Sequence, residues 1–370
     1  MAQQIVVVGA GYTGLAAAKL AARWTGARVT LINAGDRFVE RVRLHQLAAG
    51  QHLRDLPLAD LVEGTGVELI VDRVTDIDAS ARTLRLAGTS REVSYDRLIY
   101  AVGSAADTTS VPGVAEHAFS VATSDDALSL KQRLADSEVV AVVGGGLTGI
   151  EAAAELAETH PALKVRLLTR GELGAGLSEL GKDHLRRTFA RLGVEIRENA
   201  SASEVRADGL LLADGAHVAA DTVVWTAGFR VPDLAERAGF AVDDSGRVIV
   251  DGEFRSVSHP EVTAIGDAAA GRMRTGQELR MACATGLPST QHAVRALAAR
   301  LAGREPRRLR FRYLNQCISL GRKDALVQFT HADDTPKESV LTGRKAALYK
   351  EMIVRGTIVF ERHPTIPTSL

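Results

Sequence analysis

Cysteine is nearly absent from this chain, which has only Cys283 and Cys317 in 370 residues. Neither belongs to a C-x-x-C or C-x-x-x-x-C pair, so a redox-active dithiol of local spacing is excluded. A disulfide framework and a cysteine-based zinc site are equally unsupported, and we predict no metal-binding residues. Two isolated cysteines are most simply interpreted as buried thiols.

Net charge and long apolar runs are also lacking. The chain has 45 Lys and Arg against 45 Asp and Glu, so no overall field recruits nucleic acid or an anionic membrane. No basic stripe with interleaved aromatic residues is evident, and we predict no nucleic-acid partner. No apolar stretch reaches the roughly 18 to 20 residues of a membrane span, and no secretory signal precedes the first strand. We therefore predict a cytoplasmic protein, with any membrane contact peripheral and at the inner face.

The most informative pattern is a glycine fingerprint that occurs twice, as Gly9-Ala10-Gly11-Tyr12-Thr13-Gly14 and as Gly144-Gly145-Gly146-Leu147-Thr148-Gly149. Each copy follows a short apolar run and leads into an alanine-rich segment. In a strand–turn–helix context the first glycine makes the tight turn, the second admits a pyrophosphate to the backbone, and the third packs helix against strand. The helix N-terminus then presents free N–H groups to the phosphates. Two copies predict two dinucleotides bound at once.

The order of predicted elements repeats with the fingerprints. Helices are predicted over 15–24, 150–159 and 182–192, strands over 28–32 and 164–168, and a small antiparallel insert within 67–102. Both halves end in an apolar strand that leads into glycine, at Gly103 and Gly228. A further strand ends at Gly266-Asp267, and a helix is predicted from about Pro288 to Leu301 with the proline in its first turn. The pattern predicts an α/β fold with two Rossmann-like dinucleotide-binding domains, antiparallel inserts and a smaller C-terminal domain.

Taken together, these motifs resemble those of flavoproteins with two dinucleotide-binding domains, relatives of the pyridine-nucleotide disulfide reductases. The chain is most similar to type II NADH dehydrogenases and to ferroptosis-suppressor and apoptosis-inducing-factor-like oxidoreductases. The matching motifs lie, in order, at 9–14, 100–103, 144–151, 226–228 and 263–267. The resemblance implies an FAD-binding domain in two parts, 1–110 and 246–303, an NAD(P)H-binding domain at 111–245, and a C-terminal acceptor or interface domain at 304–370.

The resemblance implies that the first fingerprint holds FAD. The residues expected to contact it are Gly9, Gly11, Tyr12, Thr13, Gly14, Asn33, Ala101, Gly103, Gly266, Asp267 and Leu287. Asp267 would bond the ribityl chain, or else serve as a turn or cap aspartate. In the similar flavoproteins, an acidic residue at the position of Asn33 usually accepts hydrogen bonds from the ribose hydroxyls. Asn33 would form hydrogen bonds with these hydroxyls without a negative charge.

By the same resemblance the second fingerprint holds the nicotinamide cofactor. The residues expected to contact it are Gly144, Gly146, Leu147, Thr148, Gly149, Thr169, Arg170, Ala227 and Gly228. An acid at the end of the second strand favours NADH, whereas the hydroxyl and guanidinium of Thr169-Arg170 suit a 2′-phosphate, so we predict NADPH over NADH. Glu151 is expected near the contact between nicotinamide and flavin, with an ordinary surface acid as the alternative.

The electron acceptor is less determined by the sequence. Because no dithiol is present, reduced flavin would pass electrons directly to a small quinone-like acceptor. Of the glutamine-rich run by which type II NADH dehydrogenases bind quinone, only Gln291 remains, either as an acceptor-site residue or as a helix cap. His45 could lie near the flavin or be a packed core histidine. The segment 337–360 could form an interfacial helix or cover the flavin face.

Two other functions remain open. Residues 304–370 contain 13 Lys and Arg against 7 Asp and Glu, an excess that could dock an acidic redox protein such as a ferredoxin. Alternatively the protein could be a non-catalytic flavoprotein that senses NAD(P)H. The expectation of a homodimer rests only on the resemblance to this family.

Overall fold

The computed structural model describes residues 3–88 and 92–368. The strands are β1 (Gln4–Val8), β2 (Arg28–Asn33), β3 (Val67–Val71), β4 (Val74–Asp78), β5 (Thr83–Leu86), β6 (Glu92–Ser94), β7 (Arg97–Tyr100), β8 (Ala105–Ala106), β9 (Ala118–Phe119), β10 (Val139–Val143), β11 (Lys164–Leu168), β12 (Glu195–Arg197), β13 (Ala202–Arg206), β14 (Gly209–Leu212), β15 (His217–Ala219), β16 (Thr222–Trp225), β17 (Phe229–Arg230), β18 (Val248–Ile249), β19 (Val262–Ala264), β20 (Ala269–Ala270), β21 (Asn315–Ser319), β22 (Ala325–Thr330) and β23 (Pro336–Thr342). The helices are α1 (Tyr12–Thr25), α2 (Leu44–Ala48), α3 (Leu58–Val62), α4 (Val114–His117), α5 (Ser124–Leu134), α6 (Leu147–Thr159), α7 (Glu179–Leu192), α8 (Leu234–Arg237), α9 (Cys283–Leu301) and α10 (Gly343–Arg362), with 3₁₀ turns at Arg41–Arg43 and Gly266–Ala268.

The first parallel sheet has the strand order β19-β7-β1-β2-β3. Its central strand β1 is a β-branched run whose side chains are almost wholly buried, as expected where helices cover both faces of a parallel sheet. Val8 lies in register with Ile32 on one side and with Tyr100 on the other. The turn at Gly9 therefore emerges between the carboxyl ends of two neighbouring strands, which is where ligands bind in open α/β sheets.

The second parallel sheet repeats this arrangement, with the strand order β12-β11-β10-β16-β9. Here Val143 lies in register with Leu168 and with Trp225, so Gly144 emerges between Thr169 and Thr226. Strand β19, from late in the chain, joins the first sheet and not the second. The predicted α/β fold with two Rossmann-like domains is confirmed.

Three antiparallel sheets of three strands accompany the parallel ones: β4-β5-β6, β13-β14-β15 and β21-β22-β23. The predicted insert within 67–102 is smaller than expected, because its first and last runs, β3 and β7, pair parallel with β2 and β1 and so belong to the first sheet. The C-terminal segment 337–360 forms the end strand β23 and the long helix α10, which packs on β22 and on α1.

The helix predicted from about Pro288 begins five residues earlier, at Cys283, and places the proline in its interior. A proline there removes the N–H that would bond the carbonyl of Ala284. Ala284 is exposed, so water can satisfy that carbonyl and the helix continues. Helices α1, α6 and α7 also begin about one turn before their predicted starts; α1 and α6 begin directly after the second glycine of their fingerprints.

Candidate active site

The two glycine turns have the same geometry, position by position. Gly9 and Gly144 have φ of +97° and +123°, which favours glycine, and a Cβ there would lie 2.4 and 2.6 Å from the neighbouring strand-end residues. A Cβ on Gly14 or Gly149 would lie 1.8 or 1.9 Å from the carbonyl oxygen of the first glycine, so any side chain there would separate the helix from the turn. Each fingerprint thus requires glycine at its first and third positions for close packing.

The second glycine of each fingerprint faces open space. Gly11 and Gly146 are exposed, and nothing lies within 4 Å of a Cβ built on either. Both are helix N-caps without a side-chain cap, and neither α1 nor α6 has an acid in its first turn. The free N–H groups and the positive end of each helix therefore face a space that suits a pyrophosphate. The residues present fit two dinucleotides, one at each turn.

Two predicted FAD contacts, Thr13 and Gly266, meet where α1 and α9 begin. A Cβ on Gly266 would lie 2.6 Å from the hydroxyl of Thr13, and one on Gly286, next to Leu287, would lie 3.0 Å from the Thr13 methyl group. Tyr12 is buried against Phe38, and burial raises the pKa of its hydroxyl. The fingerprint, the Gly266 turn and the start of α9 thus form one surface.

The side-chain amide of Asn33 is hydrogen-bonded to backbone groups of the protein. The backbone N–H of Ala10 donates to its Oδ1 at 2.8 Å, and its Nδ2 donates to the carbonyl of Gly35 at 2.8 Å. The side chain therefore ties the glycine turn to the end of β2. Its contact with a ribose stays a prediction.

Asp267 ends a hydrogen-bonded chain that begins at Arg41. The guanidinium of Arg41 donates to the carbonyl of Ser104 at 2.6 Å and to its hydroxyl at 3.0 Å. The Ser104 hydroxyl in turn donates to Asp267 Oδ2 at 2.8 Å. Gly103, at φ +71°, places the backbone beside the guanidinium of Arg41. The carbonyl of Ala101 packs against Gly9. One carboxylate oxygen of Asp267 is thereby fixed by protein, and no hydrogen bond to Oδ1 is found in the described chain.

At the second fingerprint, Thr169 is buried against the glycine turn and Arg170 is exposed. A Cβ on Gly145 would lie 2.4 Å from the Thr169 hydroxyl, so this side chain touches the turn itself. The nearby acid Glu172 is already paired with Lys182 at 3.0 Å and with Arg186 at 3.6 Å. Arg170 takes part in none of these ion pairs. Ala227 and Gly228 follow β16 on the other side of the turn, and Gly228 has φ +94°.

Glu151, in the second turn of α6, contacts the C-terminal unit, which consists of β21, β22, β23 and α10. The Lys350 ammonium of α10 donates to Glu151 Oε1, and the backbone N–H of Ser319 donates to the same oxygen at 2.9 Å. His45 Nδ1 lies 3.9 Å from Glu151 Oε2. All three side chains are largely buried, with exposed fractions of 13% for Glu151, 15% for Lys350 and 5% for His45.

Burial sets the protonation of this cluster. Desolvation, reinforced by the charge of Arg43, lowers the pKa of Lys350 to about 7, while the contact with Glu151 favours the charged ammonium. Desolvation also lowers the pKa of His45 to about 3, so the imidazole is neutral. Arg43 is fixed by Glu351, to which it donates at 2.9 Å. The Glu151–Lys350 pair can therefore hold or release a proton near neutral pH.

The same face of α6 docks the C-terminal sheet. Glu155, one turn beyond Glu151, lies 3.5 Å from Arg322, and burial raises the pKa of its carboxyl. The backbone N–H of Arg322 donates to Glu158. A Cβ on Gly321 would meet Glu158 at 2.6 Å, so glycine permits this approach. The loop after β21 thus locks the C-terminal unit onto the helix of the second fingerprint.

Gln291 is buried in α9, at 1% exposure, and is engaged by the C-terminal segment. Its Nε2 donates to the carbonyls of Pro364 at 2.7 Å and Ile366 at 2.6 Å. The N–H and hydroxyl of Thr368 donate to its Oε1 at 3.3 and 3.1 Å. This is not a helix cap, because the residue lies two turns inside α9. Its role toward an acceptor stays a prediction.

Neither cysteine has a disulfide partner. Cys283 begins α9 and Cys317 lies in β21, and burial raises the pKa of each thiol to about 12. Over the described ranges, no group of three or more His, Cys, Asp and Glu side chains is placed to hold a metal ion. In the same part of the chain, no helix has the length and apolar character required to cross a membrane.

Sequence reasoning missed three residues of the site: Arg41, Ser104 and Lys350. Each acts through a contact with a residue far away in sequence, so no local spacing signalled it. The only available hint was Lys350 itself, a single lysine within the apolar positions of the last helix.

The fold and the paired glycine turns define a protein with two dinucleotide sites. Residues 3–296 match the family model of the pyridine nucleotide-disulphide oxidoreductases. An NADH dehydrogenase-like protein of Mycobacterium tuberculosis is 34% identical over 78% of both chains. A type II NADH:quinone oxidoreductase of Staphylococcus epidermidis is 27% identical over 95% of this chain and 94% of its own. A ferredoxin reductase structure from Rhodopseudomonas palustris is 25% identical, with a TM-score of 0.75 over 89% of this chain and 83% of its own.

The chain belongs to the pyridine nucleotide-disulphide oxidoreductase family. Membership implies FAD and a nicotinamide cofactor, for which the two glycine turns provide sites. The protein is a flavin-dependent NAD(P)H oxidoreductase, and the predictions of its family, fold class and enzymatic nature are confirmed.

Proposed function

We propose that this enzyme oxidises NADPH in preference to NADH and passes the electrons through FAD directly to a quinone-like small molecule. FAD would lie at the first fingerprint and the nicotinamide cofactor at the second. Bound FAD would supply a two-electron carrier between the two substrates. The observation that carries the proposal is the buried Glu151–Lys350 pair between the second fingerprint and the C-terminal unit.

The pair matches the proton requirement of such a reaction. NADPH, one proton and a quinone give NADP⁺ and a hydroquinone, so one proton beyond the hydride of NADPH must be supplied to the acceptor. Lys350, with its pKa lowered to about 7, can hold that proton, and Glu151 holds the ammonium in place. The Ser319 N–H fixes the carboxylate, which keeps the pair oriented.

The cysteines support direct transfer to the acceptor. A dithiol relay needs two neighbouring thiols, one of which ionises readily. Cys283 and Cys317 lie on different elements, and both thiols have pKa values raised to about 12.

The preference for NADPH is supported by the end of β11. The hydroxyl of Thr169 beside the exposed Arg170 offers a donor and a positive charge to a 2′-phosphate. Glu172, the acid that could repel that phosphate, is neutralised by Lys182 and Arg186.

A surface on α10 supports an apolar acceptor. Leu348, Met352 and Val359 are each more than half exposed, and they follow one another at helical spacing. Basic side chains lie on the same helix, at Arg344 and Lys345. Such a face suits peripheral contact with a membrane that carries a lipid-soluble quinone.

A second candidate is the reduction of a small acidic redox protein. Arg308, Arg310 and Arg312 are exposed on one side of an extended segment, while Leu309 and Tyr313 on its other side are buried. This row of positive charges fits an acidic surface. The similarity to a ferredoxin reductase structure also favours reduction of a small redox protein.

Steady-state turnover separates the two candidates. We expect NADPH oxidation to be stimulated by a soluble quinone and to be slowed strongly in Lys350→Met, with FAD retained. A matched control is Lys345→Met, which removes an exposed charge from the same helix. Stimulation by ferredoxin alone, with no loss in Lys350→Met, would exclude quinone reduction at this pair.

A further inference from the structure

The C-terminal end of the chain crosses the two helices that begin at the predicted FAD site. Helix α10 ends at Arg362, where the ammonium of Lys19, on α1, donates to the carbonyls of Glu361 at 2.7 Å and Arg362 at 3.0 Å. Beyond this point residues 364–368, hereafter the strap, run to Gln291 on α9. The strap is therefore fixed to α1 at its root and to α9 at its tip.

The side-chain amide of Gln291 forms hydrogen bonds with the strap through both its nitrogen and its oxygen. Both carboxamide ends are engaged, by carbonyls of Pro364 and Ile366 and by donors of Thr368. A buried amide is costly unless its hydrogen bonds are made, so this side chain strongly favours the closed strap. Pro364 and Pro367 restrict the unbound conformations of the segment, which lowers the entropic cost of closure.

The strap binds a helix whose first turn lies in the region where chemistry is expected. The N-terminal turns of α1 and α9 meet at Gly266, through Thr13 and Gly286. Gln291 is eight residues into α9 by number, about 12 Å along the helix from Cys283.

Exposed apolar side chains lie both on the last part of α10 and on the strap. Val359 is 52% exposed and Ile366 is 46% exposed.

We propose that the strap determines which acceptors the enzyme reduces, by closing the path along α9 to a quinone with a long apolar tail while admitting a short one. This inference rests on the proposed quinone reduction. In it, Gln291 acts as a positioning residue that holds the strap and does not bind the acceptor.

The test compares turnover with a long-tailed and a short-tailed ubiquinone analogue, measured on the same preparation. In a chain that ends at His363, the ratio of long-tailed to short-tailed turnover should rise about tenfold, because apparent affinity scales with the open fraction. Gln291→Leu should shift the ratio in the same direction. Thr365→Ala changes an exposed strap residue outside these hydrogen bonds and should leave the ratio unchanged.

The ratio is insensitive to partial unfolding, since both acceptors report on the same active molecules. If Gln291 bound the acceptor directly, Gln291→Leu would lower turnover with both quinones, and the strap would be refuted. An unchanged ratio in both the shortened chain and Gln291→Leu would refute it as well. If NADPH bleached the flavin in no variant, the proposed function itself would fail.

Discussion

The Gly146→Ala substitution tests the assignment of the two cofactors to the two fingerprints. Gly146 has φ −77° and ψ 177°, which alanine adopts freely, and nothing lies within 4 Å of the added methyl group. Alanine is a weaker N-cap than glycine, so the free energy of unfolding should fall by about 1 kcal/mol or less. The methyl group instead enters the space left for a pyrophosphate.

The expected effect on cofactor binding is much larger. Hydrogen bonds to a charged group contribute about 1.5 to 3 kcal/mol each, so losing one raises the Kd of NADPH about 10- to 100-fold. The assay is the dependence of the rate of flavin bleaching on NADPH concentration, with the FAD content taken from the visible spectrum. FAD content should match that of the parent protein.

Gly11→Ala is the matched control, because it adds the same methyl group at the equivalent open N-cap of α1. It should lower FAD content while leaving NADP⁺ binding, measured by calorimetry, close to that of the parent. Loss of FAD in Gly146→Ala, with nicotinamide binding retained, would reverse the assignment. No effect of either substitution would refute the argument that these turns hold pyrophosphates.

Three further outcomes follow from the site. Arg170→Glu should raise the KM for NADPH at least about tenfold while sparing NADH, in steady-state kinetics with each cofactor; an unchanged ratio would remove the argument for NADPH. The rate of turnover with quinone should be constant below pH 7 and should fall about tenfold per pH unit above it. The reason is that the ammonium of Lys350, whose pKa is lowered to about 7, loses its proton as the pH rises. Lys350→Met should lack this decline in its pH–rate profile. Arg41→Met should raise the Kd of FAD about tenfold, since it frees Ser104 and Asp267, with FAD content after gel filtration as the measurement; full retention would contradict that role.

The fold could be predicted from the sequence because its signals are local. A glycine fingerprint, the apolar strand before it and the helix after it lie within about twenty residues, and the backbone geometry they need depends on little else. The structure brings Gly9 beside Ala101 and Gly144 beside Ala227, because parallel strands bring their carboxyl ends to one edge.

The charged part of the site could not be predicted in this way. Lys350 meets Glu151 across 199 positions of sequence, and Arg41 meets Ser104 across 63. Such contacts depend on how the C-terminal unit docks on α6, which periodicity does not encode. The start of α9 was misplaced because a proline usually marks a first turn, whereas exposure of Ala284 lets the helix run through Pro288.

Gln291 shows the limit of motif matching most clearly. Its position in the sequence indicated either an acceptor contact or a cap, and neither alternative included the strap that occupies its amide. The partners of that amide are backbone groups of the strap, whose identity leaves almost no trace in composition.

The most direct test of the account is the visible spectrum of the purified protein under anaerobic conditions during addition of NADPH and, separately, NADH. We expect a flavin spectrum that bleaches near about 450 nm with either cofactor, faster with NADPH, and recovers on addition of a soluble quinone. A yellow protein that neither cofactor bleaches would contradict the proposed electron path.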